Sequence, residues 1–220
     1  MADKSNGDCY LCGANYGKTA MKNHLLKNHD TEQGGQECRL LKIEGFYDKE
    51  YWLYVDVPVE KTLSAVDSFL RKIWLECCGH LSEFYVDNNV QIKSSLKLGS
   101  FSPGDKFFHM YDYGDTTETA ITVMGNIRRK EQKSIVRLLA RNTPPVFKCA
   151  DCGKTADYIC AQCACESENP FYCDECMETH ECGEEMFLPV TNSPRMGQCG
   201  YTGEFDTFMF DPSVRKETLA

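Results

Sequence analysis

Cys149-Ala-Asp-Cys152 opens a run of closely spaced cysteines that continues with Cys160-Ala-Gln-Cys163 and Cys173-Asp-Glu-Cys176 and ends with His180 and Cys182. Two thiolates on one tight turn can bind the same tetrahedral ion, and zinc is the metal that such Cys and His sets usually hold. Eight ligands are enough for two ions. The spacing predicts a cross-brace, in which alternate pairs share an ion. The two expected ligand sets are Cys149, Cys152, Cys173 and Cys176, and Cys160, Cys163, His180 and Cys182.

Disulfides, a redox dithiol and an iron–sulfur cluster are alternative roles for these cysteines. Disulfides need an oxidising compartment, and no apolar signal segment opens the sequence. A thioredoxin-type dithiol needs a strand-turn-helix unit, which the residues around the pairs do not predict. An iron–sulfur cluster would leave His180 and half of the cysteines unused. The last zinc ligand stays open, because Cys165 or Cys199 could replace Cys182 or Cys163.

The aromatic pair before the third cysteine pair, Phe171-Tyr172-Cys173, completes a pattern that resembles MYND and related cross-braced zinc fingers. The resemblance covers residues 149–182. Met177 stands where the family has a Gln, and the family's later Trp is absent. The resemblance implies a small module in which metal binding substitutes for a hydrophobic core too small to fold unaided.

A second set of ligand-type residues lies near the N-terminus, at Cys9, Cys12, His24 and His29. Residues 18–29 have the pattern of a helix, on which both imidazoles can face one ion. The segment resembles a Cys2His2 zinc finger, with eleven residues between Cys12 and His24 where the family has twelve. A single finger reads about three base pairs. The sequence therefore predicts a protein-binding or purely structural finger at least as strongly as a finger that contacts nucleic acid.

The region from residue 38 to residue 147 contains no metal pattern and predicts a mixed α/β domain. Alternating apolar and polar residues predict strands, and apolar residues at helical spacing from Leu63 to Cys77 predict a helix. The expected strands cover residues 39–46, 51–57, 81–86, 91–96 and 117–124. The predicted fold class is α+β, with this mixed α/β domain flanked by small zinc-stabilised modules.

Two motifs of the central region resemble the plasmid pRiA4b ORF-3-like family, also called the IS1096 element passenger TnpR-like family. They are Gly79-His80-Leu81-x-x-Phe84 and Tyr111-Asp112-Tyr113-Gly114-Asp115. The family usually continues with a Trp and a His, where this chain has Thr117 and Thr119. The resemblance implies a fold and no established activity. The TnpR-like name suggests a resolvase-like function, but no serine nucleophile with clustered arginines is recognisable in the sequence.

Three carboxylates, those of Asp112, Asp115 and Glu118, form a candidate acid-base or hard-metal site in the central region. The alternative is a structural turn around Gly114, in which the aspartates hydrogen-bond their own backbone. The turn is the preferred interpretation, so we predict no catalytic residue. An enzyme that uses this turn stays open as a second alternative function.

The remaining histidines and cysteines of the central region have structural interpretations. His109 lies beside two Phe and a Met, which predicts a packed core histidine, and His80 is expected to support the turn at residues 78–79. Cys77 and Cys78 come at the end of the predicted helix and are interpreted as buried thiols.

Charge is distributed unevenly over a chain whose net charge is −9. Residues 126–148 have a balance of +6, which suits either phosphate contacts or a solvated strand edge with Ile135 and its apolar neighbours packed inward. The basic residues are Arg128, Arg129, Lys130, Lys133, Arg137, Arg141 and Lys148. Residues 149–210 have twelve acids against Lys154 and Arg195, a balance of −10. Such a surface repels nucleic acid and suits docking to a basic protein segment.

The whole sequence predicts a finger with its linker over residues 1–35, the central domain over 38–147, a binuclear zinc module with a packed loop over 148–210, and a tail over 211–220. We expect about three zinc ions, each held by four ligands. No apolar run approaches the roughly 20 residues that cross a bilayer, so we expect a cytoplasmic protein with no membrane partner and no small-molecule substrate. The predicted function is an intracellular binding or adaptor protein with a protein partner. The alternative is a plasmid- or transposon-associated DNA- or RNA-binding protein.

Overall fold

Two antiparallel sheets organise the chain. The structure, a computed structural model, describes residues 5–30, 35–87, 90–130 and 135–203. Within these ranges the larger sheet has nine strands: β1 (Asn6–Cys9), β2 (Asn15–Gly17), β3 (Gln36–Gly45), β4 (Trp52–Pro58), β5 (Ser82–Val86), β6 (Val90–Ile92), β7 (Lys106–Tyr111), β8 (Thr117–Arg129) and β9 (Arg137–Asn142). The smaller sheet has three: β10 (Tyr158–Cys160), β11 (Phe171–Tyr172) and β12 (Phe187–Pro189). The α-helices of the same ranges are α1 (Lys18–Asn28), α2 (Leu63–Leu70) and α3 (Asp174–Met177).

The prediction of an α+β fold with a central mixed α/β domain is wrong. The strand order of the larger sheet is β2-β1-β9-β4-β3-β8-β7-β5-β6, and every pairing in the described ranges is antiparallel. A mixed sheet needs parallel neighbours joined by crossover segments. The helix predicted from Leu63 to Cys77 is also shorter than expected, because α2 ends at Leu70 and continues only as a π-helical turn over Arg71–Leu75.

Strand β4 lies at the centre of the molecule, because both faces of the sheet are covered there. Every residue of β4 is buried. Trp52 and Tyr54 point to the face covered by α1, while Leu53 and Val55 point to the face covered by α2. Successive side chains of a strand point to opposite faces, and a strand covered on both faces has an apolar residue at nearly every position.

The N-terminal segment is part of the larger sheet. Strand β1 pairs with β9, and α1 buries Met21 and Leu25 completely in the core on that face. The Leu26 side chain packs closely on Gly125, where an added Cβ atom would lie 3.0 Å from the leucine side chain. The predicted helix over residues 18–29 is confirmed apart from its last residue, since α1 ends at Asn28. The domain boundaries themselves stay a prediction.

Several arginines of the basic segment are turned inward. Asp56, with no exposed surface, forms ion pairs with Arg129 at 2.8 Å and with Arg137. Arg129 and Arg141 are 2% and 6% exposed, so the prediction of a solvated face is wrong for these two side chains. Ile135 was expected to pack inward and is instead 49% exposed. Residues 131–134 lie outside the described ranges.

The segment that follows β12 contacts the larger sheet as well as the smaller one. The Trp74 indole donates to the Asn192 carbonyl at 3.0 Å, and the Ser193 hydroxyl donates to the Trp74 carbonyl at 2.7 Å. Tyr201, in the same segment, is 2% exposed. The loop was expected to pack on the zinc module, but it also contacts the larger sheet, where the Asn142 amide of β9 donates to the Asn192 side chain at 2.7 Å. The tail predicted over residues 211–220 lies outside the described residues.

The described helices are too short and too polar to cross a membrane.

Candidate metal centres

The N-terminal cluster brings Cys9, Cys12, His24 and His29 together, with their ligand atoms within 4.8 Å of one another. The Cys12 Sγ and His24 Nε2 atoms are 3.2 Å apart, and the Cys9 Sγ and His29 Nε2 atoms are 3.5 Å apart. Around a tetrahedral zinc ion with bonds of about 2.0–2.3 Å, neighbouring ligand atoms lie about 3.3–3.8 Å apart. The cluster therefore has the dimensions of a four-ligand metal site.

Local structure explains how the N-terminal ligands converge. Cys9 ends β1, and Gly13, at φ +75°, donates its N–H to the Cys9 carbonyl at 2.7 Å to close the tight turn. A side chain at that position would be strained, which favours glycine. The Asn28 amide lies 2.9 Å from Nδ1 of His24 and so orients the ring with Nε2 towards the thiols. Burial and the neighbouring His24 lower the pKa of His29, which keeps the imidazole in its neutral, metal-binding form.

The second cluster consists of Cys149, Cys152, Cys173 and Cys176. It repeats the same turn: Gly153, at φ +72°, donates to the Cys149 carbonyl at 3.0 Å. Cys173 is the N-terminal capping residue of α3, which carries Cys176 in its first turn. Burial opposes ionisation of Cys149, but hydrogen bonds from the backbone of residues 151, 152 and 173 lower its pKa to about 6. Backbone N–H groups aimed at the sulfur stabilise the thiolate that a metal requires.

The third cluster consists of Cys160, Cys163, His180 and Cys182. The Cys163 Sγ atom lies 3.2 Å from His180 Nε2 and 3.8 Å from Cys182 Sγ. The Tyr172 ring packs on the His180 ring, with centroids 4.3 Å apart. The thiol of Cys165 lies outside the cluster, near the Ala161 carbonyl. The structure thus places Cys182, rather than Cys165 or Cys199, beside the other three.

The second and third clusters interleave along the chain as a cross-brace. The first and third cysteine pairs meet in one cluster, and the second pair meets His180 and Cys182 in the other. Between them, β10 pairs with β11 and β12. The two ligand sets share a buried cluster of Cys149, Cys160, Tyr172 and Cys173, and Ala156, Ile159 and Pro170 are the other buried residues of the range 149–189. Three of these seven are candidate ligands, so the apolar core of the module is small.

A fourth cluster, which sequence reasoning missed, consists of Cys77, Cys78, His80 and Cys199. The Cys78 Sγ atom lies 2.9 Å from His80 Nε2, 3.5 Å from Cys199 Sγ and 3.7 Å from Cys77 Sγ. Cys78 is exposed, so its interpretation as a buried thiol is wrong. The Cys-Cys-Gly-His run contains suitable residue types. Its partner Cys199 is 121 positions from Cys78, so local spacing could not reveal the set.

A buried arginine lies behind the fourth cluster. Arg195, with no exposed surface, donates from Nη2 to the Asp112 carboxylate at 2.8 Å and to the Cys77 thiol at 3.4 Å. Burial tends to raise the pKa of Cys77, but the guanidinium of Arg195 outweighs it and lowers that pKa. The Asp112 carboxylate also lies 3.3 Å from His80 Nε2. His80, which was predicted to support the turn at residues 78–79, is thus a member of the fourth cluster.

The carboxylate turn is engaged in structural contacts. Asp112, at φ +66°, accepts the Gly114 N–H at 3.0 Å as well as the Arg195 guanidinium. The Glu118 carboxylate accepts the Tyr85 hydroxyl at 3.0 Å. The turn interpretation of the Asp-x-Gly sequence is thus confirmed for Asp112. The prediction for His109 is also confirmed, since this ring has no exposed surface.

Fold and clusters together define the chain as an antiparallel sheet protein whose described residues include four Cys/His groups able to hold a metal ion. No family model and no curated protein sequence matches it. Among solved structures, it is similar to the crystal structure of MM3350, a protein of unknown function from Methanosarcina mazei Go1. The identity is 17% and the TM-score 0.42, over 49% of this chain and 70% of that chain. The resemblance to the pRiA4b ORF-3-like family stays a prediction.

Proposed function

We propose that this protein is a zinc-binding adaptor, in which ions at the N-terminal, second and third clusters are structural and an acidic module docks a protein partner. The proposal rests mainly on the observation that each ligand set is complete, with four protein groups. Each of these clusters offers four protein ligand atoms within 4.8 Å. Catalytic zinc sites keep one position for water or substrate, whereas structural sites use four protein ligands.

The surface of the C-terminal module supports a protein partner of basic character. Ten carboxylate side chains between Asp151 and Glu185 are exposed, and Lys154 is the exposed lysine or arginine of that range. Its ammonium lies 2.7 Å from the Glu175 carboxylate and so offsets little of the surrounding charge. Such a surface attracts a Lys- or Arg-rich segment and repels phosphate backbones.

Contacts inside the protein remove much of the support for the nucleic-acid alternative. Arg129, Arg137 and Arg141 of the basic segment bind Asp56 or the Asn192 carbonyl inside the protein. On the N-terminal finger, the Lys18 ammonium pairs with the Glu44 carboxylate at 2.9 Å. Phosphate contacts need exposed cations, and these side chains are already engaged.

Cobalt substitution tests the closed ligand sets. Co²⁺ reports tetrahedral thiolate coordination through visible d–d and charge-transfer absorption. We expect tetrahedral spectra that do not change when azide or another small anion is added, because no coordination position is open to it. A spectrum that shifts with added anion would show an open site and would favour a catalytic metal instead.

Fluorescence anisotropy with a labelled Lys-rich peptide and with a labelled DNA duplex tests the acidic surface. We expect salt-sensitive binding of the peptide, weakened in the double variant Glu178→Lys with Glu181→Lys, and no binding of the duplex. The matched control is the double variant Glu50→Lys with Glu60→Lys, which makes the same charge change at exposed positions in the turns on either side of β4. Equal loss in both variants would refute a specific role for the module, and duplex binding would favour the nucleic-acid alternative.

A further inference from the structure

We infer that Cys77, Cys78, His80 and Cys199 form a fourth zinc site, which fastens the segment after β12 to the nine-stranded sheet. This site goes beyond the three ions of the proposed function. The other three clusters draw their ligands from within one local stretch of chain. This cluster joins a turn next to the larger sheet to a residue 119 positions beyond His80.

The geometry suits a tetrahedral ion. His80 Nε2 lies 3.2 Å from Cys199 Sγ, and the other measured ligand separations run from 2.9 to 3.7 Å. These values are close to the roughly 3.3–3.8 Å between neighbouring ligands of tetrahedral zinc. Three thiolates and one imidazole form a Cys3His set, which belongs to structural zinc sites. Gly79, at φ +79°, makes the turn that lets Cys78 and His80 face the same point.

The charge around the cluster also fits a bound ion. Zn²⁺ with three thiolates and a neutral imidazole carries one net negative charge. The completely buried Arg195 guanidinium lies 3.4 Å from the Cys77 sulfur and 2.8 Å from the Asp112 carboxylate, so it places a positive charge between the cluster and Asp112. A hydrogen bond from a second-shell group to a ligand orients it and tunes the site. Arg195 belongs to the same segment as Cys199, so the segment contributes both a ligand and the group behind another ligand.

The cluster lies at the end of a series of contacts between the segment and the π-helical turn Arg71–Leu75, which packs on the larger sheet. Asn192 and Ser193 bind Trp74, and the Tyr201 hydroxyl donates to the Ile73 carbonyl at 3.4 Å. Cys199 itself has φ +50°, a left-handed conformation that costs energy for a residue other than glycine. A zinc–sulfur bond at this residue would offset that cost and close the series.

Native mass spectrometry of the full chain, loaded with Zn²⁺ and then desalted, tests the site by counting ions. We expect four zinc ions in the wild type, three in Cys199→Ser and three in the second variant Cys78→Ser. The control is Cys165→Ser, which removes an exposed cysteine outside every cluster and should keep four. Hydrogen exchange of residues 190–203 should be faster in Cys199→Ser than in the control, with no change in β3, β4 and β8.

The outcomes separate this inference from the proposed function. Three ions in the wild type and in Cys199→Ser would overturn the fourth site and leave the proposed function standing. Four ions in Cys199→Ser, or a Cys78–Cys199 disulfide seen as a loss of two hydrogen masses, would also overturn it. The loss of one ion without faster exchange in residues 190–203 would overturn the fastening role. Fewer than three ions in the wild type would contradict the proposed function itself.

Discussion

Replacing Cys160 by serine is expected to unfold the three-stranded sheet while the nine-stranded sheet stays folded. Cys160 has no exposed surface and is one of four ligands of the third cluster. Serine is nearly isosteric with cysteine but is a much poorer zinc ligand. The variant therefore removes a metal bond with little change in volume.

The magnitude follows from the composition of the module's core. Apart from candidate ligands, its buried residues are Ala156, Ile159, Pro170 and Tyr172. Burying one large side chain contributes about 1.5–3 kcal/mol. A structural zinc ion contributes about 10–16 kcal/mol in zinc-finger peptides. Without the third-cluster ion, the apolar contacts of this module cannot offset the cost of ordering residues 149–189. The larger core around β4 contains no ligand of the third cluster and does not depend on this ion.

Hydrogen exchange measured peptide by peptide checks this prediction. In Cys160→Ser, amides of β10, β11 and β12 should lose protection, while amides of β3, β4 and β8 should keep it. Cys165→Ser provides the matched control, because it is an exposed cysteine in the same module whose thiol lies outside the cluster. Persistent protection of β10 in Cys160→Ser would refute the argument that metal substitutes for a core. Loss of protection throughout the chain would refute the independence of the larger sheet.

Three further perturbations test the account at other places. Asp56→Asn should lower the free energy of unfolding by about 3–5 kcal/mol, measured by urea titration, because it removes the buried carboxylate that pairs with Arg129 and Arg137; a loss below about 1 kcal/mol would contradict this. Gly153→Ala should cost about 1–2 kcal/mol and weaken zinc retention against a chelator, since Gly153 has φ +72°; unchanged retention would show that the turn relaxes freely. Burial tends to raise the pKa of Asp67, but hydrogen bonds from His109 and Ser82 lower it to about 2. A carboxyl whose pKa is lower in the folded state contributes stability above its unfolded pKa, so the advantage of the wild type over Asp67→Asn should shrink as pH falls from about 4 to about 2; an advantage that does not change with pH would contradict the assignment.

The sequence predicted those parts of the sites that are local in the chain. Cysteine pairs three positions apart, each on one tight turn, indicate a shared ion whatever the surrounding fold. For this reason all three predicted ligand sets correspond to clusters in the structure, including Cys182 as the last member. The glycines that follow Cys12 and Cys152 are a further local signal, because both adopt positive φ in the turns.

Long-range pairing was not predictable in the same way. The five predicted strands overlap five of the nine described strands of the larger sheet, but alternation does not say that β9 lies between β1 and β4. A local charge count cannot show that Asp56, far away in the sequence, pairs with both Arg129 and Arg137, which is why residues 126–148 suggested a solvated patch. Cys199 was considered only as a substitute in the nearby module. Its true neighbours, Cys78 and His80, are brought to it by the fold.

Whether zinc occupies the clusters is decided by the metal content of the freshly purified full chain, measured by native mass spectrometry and checked by elemental analysis. We expect zinc at the N-terminal, second and third clusters, and therefore at least three zinc ions per chain. Cys160→Ser should contain at least one ion fewer than Cys165→Ser under identical preparation. Fewer than three zinc ions in the wild type, or iron in their place, would contradict the account and point to redox chemistry at the same cysteines.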